Sequence, residues 1–166
     1  MALATETEQL AAELGALLLR KKWFVTTAES CTGGGIAYYL TAVAGSSGYV
    51  DRSFVTYSNK AKQQLLGVRS ATLLQFGAVS DETVKEMASG AAAAAKAQLA
   101  IAVSGIAGPG GGSVVKPVGT VWFSFWLNGQ LSSQLQHFSG SREQVRLQAI
   151  DYALKHSILL LTALSN

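Results

Sequence analysis

The sequence has 166 residues, 49% of them hydrophobic, which is enough for one well-buried core and predicts a single domain over 1–166. Its net charge of +3 comes from 13 basic and 10 acidic residues scattered along the chain, a distribution that disfavours nucleic acid as a partner. One cysteine excludes an internal disulfide, no apolar run is long enough to span a membrane, and the first residues lack signal-peptide features, so we expect a cytoplasmic protein.

The N-terminal third of the chain predicts a helix, a strand and a second helix. Thr5 and Glu8 form a capping-box pattern ahead of an amphipathic helix that ends in a basic segment. Residues 23–28 then read as a short apolar strand, and the segment 32–44 reads as a helix that begins in glycines and ends at Gly45.

The middle of the chain continues the alternation. Aromatic and β-branched residues predict a strand within 48–57, followed by a short helix that Ser58 or Asn59 can cap. A pair of helices comes next, of which the second is Ala-rich and runs from Ser80 to about Gln98.

The C-terminal third predicts most of the sheet. A buried central strand over 99–103 leads into the glycine-rich segment 104–113, and two strands flank the hairpin signal Asn128-Gly129. A last helix begins after Ser141. The whole pattern predicts an α/β protein, a three-layer α/β/α domain whose mixed sheet includes one antiparallel hairpin.

The turn at 29–35 is the strongest candidate site. It places Ser30 and Cys31 at a helix start, where unpaired N–H groups favour a bound phosphate or an oxyanion. Cys31 is expected to be a small buried apolar residue rather than a nucleophile. A serine nucleophile needs a general base. His137 lies in a hairpin strand and His156 in the last helix, and both positions are unusual for the base of a catalytic triad.

Tyr57 and Lys62 offer a better base, because a partly desolvated lysine near a tyrosine can lose its proton. Spacing alone leaves alternatives open: Ser30 could only cap the helix, Lys62 could be a solvated helix residue, and Tyr57 could simply end a strand. Glu29 could orient Lys62 or form an ion pair, and either Lys60 or Lys62 could face Ser30.

The glycine-rich segment 104–113 fits neither common nucleotide motif. No Gly-Lys-Ser/Thr follows it, and a strand rather than a helix comes next, so it is neither a P-loop nor a dinucleotide fingerprint. It is still a plausible backbone nest for an anion. The single cysteine and the distant histidines give no ligand spacing, and we predict no metal and no cofactor.

Five segments in order give the chain a family resemblance. It resembles the C-terminal domain of the competence-damage-inducible protein A family (CinA) in the stretches Ala28–Gly34, Tyr57–Asn59 with Lys62, Gly77–Ser80, Ser104–Pro109 and Lys116–Val121. The resemblance implies a stand-alone form without the N-terminal molybdopterin-binding-like domain of longer members. It also implies hydrolysis of nicotinamide mononucleotide to nicotinic acid mononucleotide and ammonia, or else an inactive nucleotide-binding paralogue.

The resemblance also implies roles for individual residues. Ser30 would attack the carboxamide carbon, and Tyr57 and Lys62 would relay its proton. Substrate contacts would come from the amides after Ser30 and from a second anion site, and the residues concerned are Thr32, Gly33, Gly34, Ser104, Gly105, Gly108 and Arg142. Gly110 stands where the family pattern implies an acidic residue, which bears on substrate preference. The expected partners are a small pyridine nucleotide and a second copy, in a homodimer or higher homo-oligomer.

Overall fold

The computed structural model describes residues 5–164 as one sheet with helices on both faces. The helices are α1 (Glu6–Lys21), α2 (Gly35–Ala42), α3 (Asn59–Leu66), α4 (Ser70–Phe76), α5 (Asp81–Ala95) and α6 (Arg142–Leu164). The strands are β1 (Val25–Glu29), β2 (Phe54–Val55), β3 (Leu99–Gly105), β4 (Thr120–Leu127) and β5 (Gln130–His137). The first four residues, which bear on the expected lack of a signal peptide, lie outside the described part.

The sheet has the strand order β2-β1-β3-β4-β5 and is mixed. β1 pairs in parallel with both β2 and β3, whereas β3–β4 and β4–β5 are antiparallel pairs. The carboxyl ends of β1, β2 and β3 therefore lie at the same edge, where ligands commonly bind in α/β proteins.

Two apolar layers hold the helices onto the sheet. On one face, α1, α2 and α6 cover a large cluster that includes Leu14, Ile101 and Phe123. On the other face, α5 packs across β1, β3, β4 and β5, and its small buried side chains, such as Ala88 and Ala91, allow a close approach. The predicted three-layer α/β/α architecture is confirmed.

Several predicted elements have the expected bounds. The capping box of Thr5 and Glu8 is formed, with the Thr5 side chain accepting a hydrogen bond from the Glu8 N–H. Ser58, rather than Asn59, caps α3. The hairpin turns at Asn128 and Gly129, both at positive φ, and Ser141 accepts a hydrogen bond in the first turn of α6.

Other bounds were wrong. The strand predicted within 48–57 shrinks to Phe54–Val55, preceded by a short 3₁₀ turn over Ser46–Gly48, because only those two residues reach the ladder of β1 beyond an isolated bridge. The helix predicted over 32–44 covers only Gly35–Ala42, since Gly33 and Gly34 both have positive φ. Within the described residues, no helix is long and apolar enough to cross a membrane.

Candidate active site

A cavity of about 230 Å³ opens at the carboxyl edge of the three parallel strands. Its walls come from the residues that follow β1 and β2, from α3, from the end of β3 and from the start of α6. The side chains that matter chemically are Ser30, Tyr57, Asn59, Lys62, Ser104 and Arg142. The chain thus brings residues separated by more than one hundred positions to one place.

Ser30 and Lys62 form a direct side-chain contact in this cavity. The Lys62 Nζ lies 2.9 Å from the Ser30 Oγ, and both residues are buried. Lys62 and Leu66, one turn apart, are the buried residues of α3, whereas Lys60 is exposed. The structure therefore places Lys62, and not Lys60, at Ser30, and it overturns the alternative of a solvated Lys62.

The surroundings of Lys62 make its ammonium group easier to deprotonate. Only 1% of the residue is exposed, and burial lowers the pKa of its ammonium group from 10.5 to about 8. Its Nζ also donates to the backbone carbonyls of Thr56 at 2.8 Å and Tyr57 at 3.2 Å. A neutral amine has two N–H groups for these two carbonyls, which leaves its lone pair for the Ser30 hydroxyl proton.

Glu29 does not pair with Lys62, which corrects both alternatives considered for it. Its carboxylate is fully buried and accepts hydrogen bonds from two hydroxyls and two backbone N–H groups. The donors are Thr27 Oγ1, Thr32 Oγ1, Ile36 N and Ala37 N, at 2.7 to 3.0 Å. The positive end of α2 is thus occupied by an acidic side chain of the protein itself.

These hydrogen bonds reduce the number of free backbone N–H groups in the anion site predicted after Ser30. Gly33 N–H donates to the Ser30 carbonyl and Gly35 N–H to the Thr32 carbonyl, so these amides are engaged along with those bound to Glu29. The amides of Cys31 and Thr32 take no part in these bonds. Ser30 does not cap α2 either, because the N-cap position is Gly34 and has no side-chain bond.

Tyr57 lies at the mouth of the cavity, and its two polar groups have different neighbours. Its carbonyl oxygen is near Lys62 and Ser30, whereas its hydroxyl accepts a hydrogen bond from Arg142 at 3.1 Å. The residue is 60% exposed and follows β2 rather than ending it. The geometry therefore brings the Tyr57 phenol to Arg142 and not to the serine–lysine pair.

The segment after β3 contributes in part. Ser104 and Gly105 line the cavity, and the Gly108 carbonyl accepts a hydrogen bond from Arg142 at 2.9 Å. Gly110 does not line the cavity, and a side chain there would meet open space. Arg142 therefore links this loop to Tyr57 across the cavity mouth.

Arg146 is a site residue that the sequence interpretation missed. Its guanidinium donates to the carbonyls of Cys31 at 3.0 Å and Thr32 at 3.3 Å. It therefore holds the turn that carries Ser30, whereas Thr32, Gly33 and Gly34 do not line the cavity themselves. Its position one helical turn after Arg142 is the only local signal that could have revealed it.

Cys31 is buried, as predicted, and its surroundings disfavour a thiolate. Burial raises the pKa of its thiol to about 12. His156 packs against Phe125 on the other side of the sheet, and His137 ends β5. Across residues 5–164, no cluster of three or more His, Cys, Asp or Glu side chains could hold a metal ion.

The fold and the site together define an α/β protein with a buried serine–lysine pair in an open cavity, an arrangement that can carry out acyl transfer. A model of the CinA C-terminal domain matches residues 7–161. The chain belongs to the CinA C-terminal domain family.

Individual relatives cover nearly the whole chain. It is 56% identical to the nicotinamide-nucleotide amidohydrolase PncC of Enterobacter agglomerans, over 90% of this chain and 92% of that protein. The PncC of Escherichia coli K12 is 53% identical over 91% and 92% of the two chains. A crystal structure of a CinA superfamily protein from Klebsiella pneumoniae superimposes with a TM-score of 0.92 and 41% identity, covering 95% of this chain and 98% of that one.

Proposed function

We propose that this protein is an amidohydrolase that converts nicotinamide mononucleotide to nicotinic acid mononucleotide and ammonia. The observation that carries the proposal is the 2.9 Å contact between Ser30 and a buried Lys62 with a lowered pKa. The relatives named nicotinamide-nucleotide amidohydrolase support the choice of substrate. A cytoplasmic location fits a chain with one buried cysteine.

In the proposed mechanism, neutral Lys62 takes the proton of Ser30 as the serine oxygen attacks the carboxamide carbon. The resulting Lys62 ammonium then gives that proton to the leaving nitrogen, and ammonia departs from an acyl-serine. Water attacks this ester with Lys62 again as base, which releases the carboxylic acid and restores Ser30. The carbonyls of Thr56 and Tyr57 keep the Nζ in place throughout.

Recognition of the nucleotide would fall to the mouth of the cavity. Arg142 is exposed there, and among residues 5–164 its hydrogen-bond acceptors are both neutral, the Gly108 carbonyl and the Tyr57 hydroxyl. A phosphate would be a stronger acceptor for the guanidinium than either of these. Tyr57 is then proposed to border the substrate beside Arg142, and its part in a proton relay stays a prediction.

The test is ammonia release from nicotinamide mononucleotide by the purified protein with a chelator present. We expect activity in the wild type and a loss of about 10³-fold or more in Ser30→Ala. Cys31→Ala, next in the chain and equally buried, is the matched control and should keep a rate close to wild type. Nucleotide-dependent thermal stabilisation without any ammonia would instead support the inactive nucleotide-binding paralogue.

A further inference from the structure

Ser104 lies beside the nucleophile, across the parallel pair of β1 and β3. The last paired residues of these strands are Glu29 and Val103, and the Ser30 N–H donates to the Val103 carbonyl at 3.0 Å. The residue after each of them in the chain is a serine, Ser30 after Glu29 and Ser104 after Val103. Because neighbouring residues in register project to the same face of a sheet, Ser30 and Ser104 point to the same side.

Both serines lie on the α3 and α5 side of the sheet. Ala28 and Ala102, two residues before each serine, belong to the apolar cluster under α5. Lys62 reaches Ser30 from α3 on this side, and all three residues line the same cavity. Ser104 therefore lies beside the Ser30–Lys62 pair rather than in a remote part of the nucleotide pocket.

The Ser104 residue is buried at the cavity wall, and the fold does not use its hydroxyl. Only 1% of the residue is exposed, and no residue of the described range 5–164 gives its hydroxyl a hydrogen-bond partner. Ser124 on β4 provides the contrast, since it is fully buried on the same face and donates to the Ser132 carbonyl at 3.0 Å. A hydroxyl that lines a cavity and has no protein partner is available to a ligand.

We propose that Ser104 is a catalytic residue that donates a hydrogen bond to the oxyanion formed when Ser30 attacks. The inference rests on the proposed amide hydrolysis. It assigns a hydrogen-bond donor to the oxyanion, because the first N–H groups of α2 already donate to Glu29. The carbonyl electron pair moves onto oxygen as the Ser30–carbon bond forms, and the proton passes to Lys62. Ser104 would stabilise that negative charge together with the amide of Cys31, which also lines the cavity.

The steady-state test separates this role from nucleotide binding. Ser104→Ala should lower kcat for ammonia release by about 100-fold with little change in KM, because the donor acts in the transition state. Ser104→Thr, which keeps the hydroxyl, should recover most of that loss, and Ser124→Ala is the matched control with wild-type kinetics. A raised KM with unchanged kcat, or no effect at all, would overturn the proposal.

A second measurement does not depend on the nucleotide being the substrate. A small alkyl fluorophosphonate labels reactive serines: its phosphorus bonds to Ser30 Oγ, fluoride leaves, and the serine proton passes to Lys62. Negative charge builds on the phosphonyl oxygen during this step, as it does on the amide oxygen. Mass spectrometry should show slower Ser30 labelling in Ser104→Ala than in wild type. Equal rates, or an unlabelled wild type, would overturn the inference. Labelling without ammonia release would reject the proposed substrate alone.

Discussion

At the scale of single residues, the chemistry depends on one buried amine. Lys62 has no carboxylate partner among the described residues, and its three contacts are a hydroxyl and two carbonyls. Burial without a counter-ion destabilises the charged form, which is why its pKa falls to about 8. The environment thereby makes the neutral amine accessible closer to neutral pH than in an exposed lysine.

This lowered pKa predicts a pH dependence of activity. Since only neutral Lys62 can accept the Ser30 proton, kcat/KM should rise about tenfold per pH unit below pH 8 and level off above it. Initial rates of ammonia release between pH 6 and 10 measure this profile. Lys62→Met should abolish activity across the range, whereas Lys60→Met, an exposed neighbour on the same helix, should leave the profile unchanged. A profile that is flat through pH 8 would exclude Lys62 as the base.

Arg146 illustrates a residue that acts through others. Its guanidinium donates to the carbonyls of Cys31 and Thr32, the two residues that follow the nucleophile in the turn. Positioning of this kind can contribute strongly to rate, because small displacements of a nucleophile are costly. The sequence offered Arg142 as a polar contact, and the structure adds Arg146 as the support of the turn.

At the scale of elements, the junction of β1 and α2 is stabilised by Glu29. Four donors converge on its carboxylate inside the protein, two of them backbone N–H groups of α2. The carboxylate therefore replaces the external anion that the glycine-rich turn suggested. Its purpose in the fold is to fix the start of α2 relative to the strand that ends at Ser30.

Replacement of this carboxylate tests the role of the junction. In Glu29→Gln, one carboxylate oxygen becomes an NH₂ group, which cannot accept the hydrogen bonds that this oxygen accepts in the wild type. Because the donors on that side lose their acceptor, we expect the free energy of unfolding to fall by about 1–3 kcal/mol. Denaturant unfolding measures the loss. Activity should fall as well, since the turn that carries Ser30 loses its anchor. Unchanged stability would show that these hydrogen bonds contribute nothing net.

The contact between α5 and α3 predicts a second effect on stability. A Cβ added at Gly90 would lie 1.9 Å from the Leu66 carbonyl oxygen, a backbone atom that cannot move aside without shifting α3. Gly90→Ala should therefore destabilise the protein by about 1–3 kcal/mol despite the better helix propensity of alanine. Gly110→Ala, where a Cβ meets open space, is the control. Equal melting temperatures for the two variants would contradict the close packing.

Local pattern was sufficient for some elements and insufficient for others. The hairpin at Asn128-Gly129 and the capped helices α1 and α3 depend on residues close in sequence, and their prediction is confirmed. The prediction of a strand within 48–57 depended on β-propensity, which does not specify how many residues pair with a neighbouring strand. Only Phe54–Val55 pair in the ladder with β1, at the edge of the sheet.

At the scale of the whole molecule, assembly into a homodimer remains a prediction. Helix α6 buries one stripe, including Leu154 and Leu161, against α1 and the sheet but leaves Leu147, Leu159 and Leu164 exposed. Exposed leucines on a long helix favour contact with a second copy. Light scattering should give twice the chain mass of 17.4 kDa, and Leu159→Glu should shift it towards the single-chain value. A single-chain mass for the wild type would reject the dimer.

The sequence by itself determined the alternation of helices and strands, the family, and Ser30 as the candidate nucleophile with a lysine of α3, Lys60 or Lys62, near it. These follow from periodicity, capping residues and motifs that are local in the chain. Only the tertiary structure decided that Glu29 stabilises α2, that the Tyr57 hydroxyl contacts Arg142, and that Ser104 lies beside the nucleophile. The reason is physical: each of these contacts depends on strand register or on which face of a helix packs inward. Local pattern does not specify such long-range pairings.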